Sequence, residues 1–218
     1  MHINIKIDFK VNRVIKYFVL ADLALLAGWG LVQPVFSVFV IQKVAGATLV
    51  TVGVAAAIYW ILKSILQMPV ANYLDKTDGE TDDFRTLIAS LFMAAVASFL
   101  YLAVSKPWHL YLVEVVHAIA FALYVPAWSA IFSRHIDKDR VSFEWSFDNT
   151  VAGLSAGVSG FLGGVVAGWL GFSGVFILAG VFSMVAAFIL LLAPELILPR
   201  KTSATPLVKD HTPAGLGR

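Results

Sequence analysis

Between Trp108 and Phe132 the chain runs for 25 residues with hardly a polar group, yet it carries Glu114, His117 and Pro126. A stretch of that length and apolarity, as a helix, reaches across the ~30 Å of hydrocarbon in a bilayer. There every backbone donor and acceptor must be satisfied within the segment, which leaves few folds open. An ionisable residue inside such a helix is costly and usually faces a cavity or a partner rather than lipid. Comparable apolar stretches recur along the chain, and six membrane helices are expected, at 15–41, 48–73, 85–105, 108–132, 146–170 and 172–193. The predicted class is therefore an all-α polytopic membrane protein, with a transmembrane domain over 15–195.

Composition agrees. The chain is 59% hydrophobic and 14% charged, with mean hydropathy +0.83. A soluble domain is nearer half apolar and a quarter charged. A net charge of +2, with no basic aromatic patch, gives no sign of nucleic acid as a partner. The absence of cysteine excludes disulfides, thiolate metal sites and cysteine nucleophiles. No Gly-x-x-x-x-Gly-Lys loop is present, so nucleotide-driven chemistry is not expected of this chain. No cofactor and no metal is expected.

The flanks differ from the centre. Residues 1–14 alternate, with Ile3, Ile5, Ile7, Phe9 and Val11 set against Asn4, Lys6, Asp8, Lys10 and Asn12. Period two predicts an extended amphipathic arm on the cytoplasmic surface. The apolar block after it is too long for a cleavable signal peptide. Residues 196–218 are polar, contain Pro199, Pro206 and Pro213, and read as a disordered tail. Lys6, Lys10, Arg13 and Lys16, then Lys76 and Arg85, then Arg134, Lys138 and Arg140, then Arg200, Lys201, Lys209 and Arg218 all fall on one side of the six spans. Only Lys43 and Lys106 fall on the other, and Lys63 lies within the second helix. The positive-inside rule puts both termini in the cytoplasm of a cell with this multi-pass protein in its plasma membrane.

An internal correspondence singles out two helices. Asp22 precedes Pro34 by twelve residues, and Glu114 precedes Pro126 by twelve. Pro34-Val35-Phe36-Ser37 matches Pro126-Ala127-Trp128-Ser129 as Pro-x-aromatic-Ser, and all these pairs share an offset of 92 residues. Interrupted helices at corresponding places in two halves are the best sequence pointer to a transporter's binding region.

Six helices, both ends inside and a charged loop between the second and third resemble the amino-terminal half of a major facilitator superfamily transporter. The family's loop signature, Gly-x-x-x-Asp-Arg/Lys-x-Gly-Arg-Lys, aligns with Ala71-Asn72-Tyr73-Leu74-Asp75-Lys76-Thr77-Asp78-Gly79. Asp75 and Lys76 fit; Ala71 stands at the first glycine, one residue is inserted before Gly79, and Glu80, Asp82 and Asp83 replace the basic run. The family's fourth-helix Arg-x-x-Gln-Gly falls on Glu114-Val115-Val116-His117-Ala118, without the arginine. Gly153, Gly157, Gly160, Gly163, Gly164 and Gly168 resemble the glycine-rich fifth-helix motif of family antiporters, lacking its proline.

The resemblance implies two inverted three-helix repeats, pairing the first helix with the fourth, so that Asp22 lies toward the cytoplasm and Glu114 toward the outside. It also implies twelve helices per working unit. A chain with six needs a second half, most simply a second copy about a two-fold axis. Asp75 and Lys76 would form a gating loop.

Glu114 and His117, three apart, share a helix face, and Tyr124 follows seven residues later. A carboxylic acid beside an imidazole carries a proton near neutral pH; the same pair also serves as a hydrogen-bonded tether between helices. The expected substrate and proton pathway comprises Asp22, Gln33, Lys63, Glu114, His117 and Tyr124. Asp22 reads equally as an interfacial residue. Lys63 has Asp22 or Glu114 as candidate partners, or lines the cavity. Gly153, Gly157, Gly160, Gly164 and Gly168 allow close helix packing, or a hinge. Thr81 to Asp83 cap the third helix.

A competing class comes from Gly157-Val158-Ser159-Gly160, which matches the Gly-x-Ser-Gly of rhomboid-like intramembrane proteases. A serine nucleophile needs a base in reach, and the only histidine after Ser159 is His211 in the tail. The chain is thus expected to be no enzyme. It is read as a secondary active transporter of a small solute by alternating access, with lipid, substrate and a second transporter half as partners. The alternatives are a non-transporting six-helix module and one half of a split transporter.

Overall fold

A computed structural model describes residues 13–76 and 80–193. The amino-terminal arm up to residue 12, the loop residues Thr77 to Gly79 and the tail from residue 194 lie outside the described residues. Arg13 and Val14, assigned to the arm by their alternation, already belong to the first helix.

The described residues form five long apolar helices: α1 Arg13–Lys43, α2 Leu49–Leu74, α3 Thr81–Leu100, α4 Pro107–His135 and α5 Val141–Leu191. A single 3-10 turn, Tyr101–Ala103, extends α3. Local chemistry sets the ends. Thr48 caps α2 through a reciprocal box with Thr51, whose hydroxyl accepts the Thr48 N–H at 3.0 Å. Pro107 opens α4, where its missing N–H is not required. Asp82 and Asp83 lie in the first turn of α3, where negative charge suits the helix dipole. The N-cap position there is Glu80, which makes no side-chain cap.

Two helices were expected at 146–170 and 172–193, and one 51-residue element is found. Its backbone leaves the helical region at Gly171, with φ 72° and ψ 179°. That conformation is essentially restricted to glycine. The element doubles back there. Gly30 of α1 lies against Ala156 and Ser159, while Gly28 lies against Ala179 and Phe182. A straight rod would set Ser159 and Phe182 about 35 Å apart. The two limbs therefore flank the same stretch of α1. The first limb starts at Val141, five residues before the expected start, with Glu144 accepting the Asp137 N–H at 3.1 Å.

Packing follows this geometry. α1 packs chiefly on α5, α2 on α4, and α3 between α4 and α5. Ser155 donates to the Leu23 carbonyl at 3.1 Å, tying the first limb of α5 to α1. Ser98 donates to the Phe176 carbonyl at 2.8 Å, tying the second limb to α3. The core is aromatic: Phe18, Phe132 and Phe176 are almost fully buried, and Trp128 stacks on Phe132 at 4.4 Å. α2 differs from the rest. Only 11% of its apolar window is buried, and Trp60, Ile61, Ile65 and Met68 are exposed.

The glycines expected to pack helices meet no neighbour among the described residues. A Cβ added at Gly153, Gly157, Gly160, Gly164 or Gly168 would meet no atom within 4 Å. Gly163 is the exception, pressed against the Leu31 carbonyl of α1. The spacing of the others, four, three, four and four residues, sets them along one face of the limb, beside the face that meets α1.

Candidate functional site

α1, α2 and α4 line a cavity of about 470 Å³. Its walls carry Trp29, Gln33 and Phe36 from α1, Tyr59, Trp60 and Lys63 from α2, and Glu114, His117, Phe121 and Tyr124 from α4. Tyr101, in the turn after α3, reaches its far end. The structure thus brings Gln33, Lys63, Glu114, His117 and Tyr124 around one space, and Asp22 joins them through Tyr124.

Two polar clusters stand at the two ends of the α4 face. In the first, Tyr101 donates its hydroxyl to Glu114 Oε1 at 2.7 Å, and His117 Nδ1 lies 3.3 Å from Glu114 Oε2. Glu114 is 3% exposed, so these contacts satisfy a carboxyl that is shut off from water. The imidazole is sandwiched. Trp29 stacks on it with centroids 4.0 Å apart and planes 9° from parallel, and Tyr59 covers the other side at 4.3 Å. In the second cluster, Tyr124 donates to Asp22 Oδ1 at 2.5 Å. Asp148, on the first limb of α5, is buried and close enough to interact electrostatically with both. Among the described residues its Oδ1 has no hydrogen-bond partner. Glu114 and Tyr124 are ten residues apart on α4, about 15 Å along the axis.

Lys63 stands apart from both clusters. Its ammonium lies 4.9 Å from the ring of Trp60 and 5.7 Å from that of Tyr59. Among the described residues it forms no ion pair with a carboxylate, so neither Asp22 nor Glu114 is its partner.

Asp75 and Lys76 lie immediately after α2, where Asp75 is the C-cap and donates its N–H to the Ala71 carbonyl. Across the α2–α3 loop, Arg134 at the end of α4 bonds Asp83 and approaches Glu80 at 3.9 Å, with His135 3.8 Å from Glu80. Burial holds the Glu80 carboxyl above the ordinary carboxylate range, against the pull of His135 and Arg134. Ser159 spends its hydroxyl on the carbonyl of Ser155 at 2.6 Å. Among the described residues, no cluster of three or more His, Cys, Asp or Glu has the makings of a metal site.

Sequence reasoning missed Trp29, Tyr59, Tyr101 and Asp148. Tyr59 and Trp60 precede Lys63 by four and three residues, a helical spacing that places them on its face. Asp148 lies only two residues inside the expected fifth helix. Nothing in the local sequence pairs Tyr101 with Glu114.

Comparison with known proteins bears on the fold. The sequence model of the Major Facilitator Superfamily matches residues 18–216. No match is found among curated proteins. Among solved structures, the chain is similar to PepTSo, a POT family transporter whose crystal structure was determined in meso. The TM-score is 0.68 at 13% identity, over 87% of this chain. The chain spans 39% of that transporter's length.

Proposed function

The chain belongs to the major facilitator superfamily, and from that premise we propose that it carries out secondary active transport of a small solute by alternating access. On this reading the fold-back at Gly171 makes six spans of the five long helices, arranged as two inverted three-helix repeats. Both termini are cytoplasmic in the plasma membrane, as the distribution of Lys and Arg requires. One observation carries the proposal: the central cavity collects polar side chains from α1, α2 and α4 and is not sealed within this chain. The other wall is supplied by a second copy of the chain, packed along the open glycine face of α5 and the exposed face of α2.

In this scheme Glu114 and His117 carry the coupling proton, and Tyr124 links the cavity to Asp22 near the inner end. Asp75 and Lys76 act at the cytoplasmic gate. A protease reading draws no support from Ser159, whose hydroxyl is engaged by its own helix and which bonds no histidine among the described residues. A different second half in place of a second copy is the alternative that the same open face favours.

The test is the oligomeric mass of the full chain in nanodiscs, followed by proton-flux measurements in liposomes. A two-copy particle whose proton flux is lost in Glu114→Gln and His117→Ala supports the scheme. A strict monomer at membrane-like concentrations, silent in flux assays, overturns it in favour of a non-transporting module or a half with a different partner.

A further inference from the structure

We infer that the cavity binds an amphipathic organic anion, a carboxylate or sulfonate carried on a flat aromatic body, with Lys63 as its counter-ion. The inference rests on the transport reading for its purpose but on the geometry of the cavity for its content.

Three observations converge. Lys63 is the fifteenth of the 26 residues of α2, about 21 Å along its axis, so its ammonium stands near mid-membrane. It lines the cavity and forms no ion pair with a carboxylate among the described residues. What it has instead is the faces of Trp60 and Tyr59. A cation over an aromatic face recovers part of the cost of leaving water, and less than an opposite charge would.

The cavity's acid, by contrast, is already spoken for. Both oxygens of Glu114 have partners, Tyr101 on one and His117 on the other, and the group is withdrawn to 3% exposure. The charged group that the cavity surface exposes to a ligand is therefore Lys63, with Glu114 withdrawn behind Tyr101 and His117. A ligand that brings a negative charge meets an attractive site, whereas an ammonium meets an uncompensated like charge. The remaining surface selects the ligand's body. Trp29, Phe36, Tyr59, Trp60 and Phe121 present flat apolar faces around a space of about 470 Å³. Gln33, at the open side, adds an amide that can donate to a second oxygen.

The experiment uses the full chain in nanodiscs and three probes with one ring system: 2-naphthoate, 2-naphthamide and 2-naphthylmethylammonium. Binding is measured by calorimetry for the wild type, Lys63→Met and Lys63→Arg, with unfolding of each variant followed to confirm that it is folded. The expected result is naphthoate bound at least about tenfold more tightly than either other probe. Lys63→Met should lose that preference and Lys63→Arg should retain it. Equal or tighter binding of the ammonium, a preference unaffected by Lys63→Met in a folded variant, or no binding of any probe overturns the inference. Uptake into liposomes separates it from the transport reading. Lys63-dependent naphthoate binding without uptake leaves the anion site standing and sinks transport. Uptake of the ammonium probe instead leaves transport standing and sinks the anion site.

Discussion

Tyr124 of α4 and Asp22 of α1, 102 residues apart in sequence, meet hydroxyl to carboxylate at 2.5 Å in the interior of the helix bundle. Both are at most 9% exposed. Aromatic contacts also join these helices, Phe18 with Trp128 and Phe132 and Trp29 with His117, although α1 packs mainly on α5 and α4 on α2 and α3. The bond therefore adds a polar tie to an aromatic α1–α4 contact.

Removing that tie has a definite cost. Tyr124→Phe keeps the ring and leaves Asp22 buried without its donor. Side-chain hydrogen bonds within membranes contribute about 0.6–1.7 kcal/mol, and an unsatisfied buried acceptor adds to the loss, so about 1–2 kcal/mol is expected. Reversible unfolding in mixed micelles measures it. A value indistinguishable from the wild type would mean that Asp22 finds another donor.

Tyr101 and His117 act on the two oxygens of the same carboxyl and lie 3.4 Å from each other, so their effects should not add. Tyr101→Phe preserves the stack on Phe176 at 4.8 Å and deletes only the hydroxyl. Combined with His117→Ala, the double variant should depart from additivity by about 0.5–3 kcal/mol, the range for residues in one network. Additivity within about 0.3–0.5 kcal/mol would show Glu114 held by each independently.

Adjacent glycines of α5 should respond oppositely to a methyl group. Gly163→Ala drives a Cβ into the Leu31 carbonyl and should cost about 1–3 kcal/mol in the isolated chain. Gly160→Ala meets nothing within 4 Å and should leave the isolated chain within about 0.5 kcal/mol of wild type. If the open face packs a second copy, Gly160→Ala should nevertheless shift the population toward monomer. Native mass measurement across a dilution series reads that shift.

The ion cluster between α3 and α4 predicts a pH dependence of known sign. Glu80 is held above its ordinary 4.5 because burial penalises its charge. The folded chain thus binds this proton more tightly than the unfolded chain. Below 4.5 both states are protonated and the group is neutral to stability. As pH rises from 4.5 through the raised value, the folded state loses stability relative to the unfolded one. Glu80→Gln should remove this falling component from the stability profile, seen as a difference curve between variant and wild type. A flat difference across that window would show the group titrating normally.

Much of this arrangement is legible in the sequence because membrane helices announce themselves by length and apolarity. The four turns fall close to the expected positions. The Glu114–His117 pair is local, three residues apart on one helix, and its contact follows from helical periodicity alone. The partners that complete it are not local. Trp29 and Tyr59 reach His117 through the crossing of α1, α2 and α4, and Tyr101 reaches Glu114 from the turn after α3, which no period in the sequence encodes. The glycine stripe misled for a related reason. Its regular spacing marks a face that admits close packing, but spacing does not say whether the neighbour belongs to the same chain. Lys63 was ambiguous for want of a distance, and its aromatic seat resolved the ambiguity against both acids.

The reversal at Gly171 also fixes a parity. A single residue turns the chain around beside Phe39 and Lys43 at one end of α1. Residues 136–140, which precede α5, and residue 193, which follows it, consequently emerge together at the other end. Under the proposed six-span topology, an epitope, a cleavage site or a fluorescent fusion placed at either position should report from the same compartment. A label at the Gly171 corner reports from the opposite one.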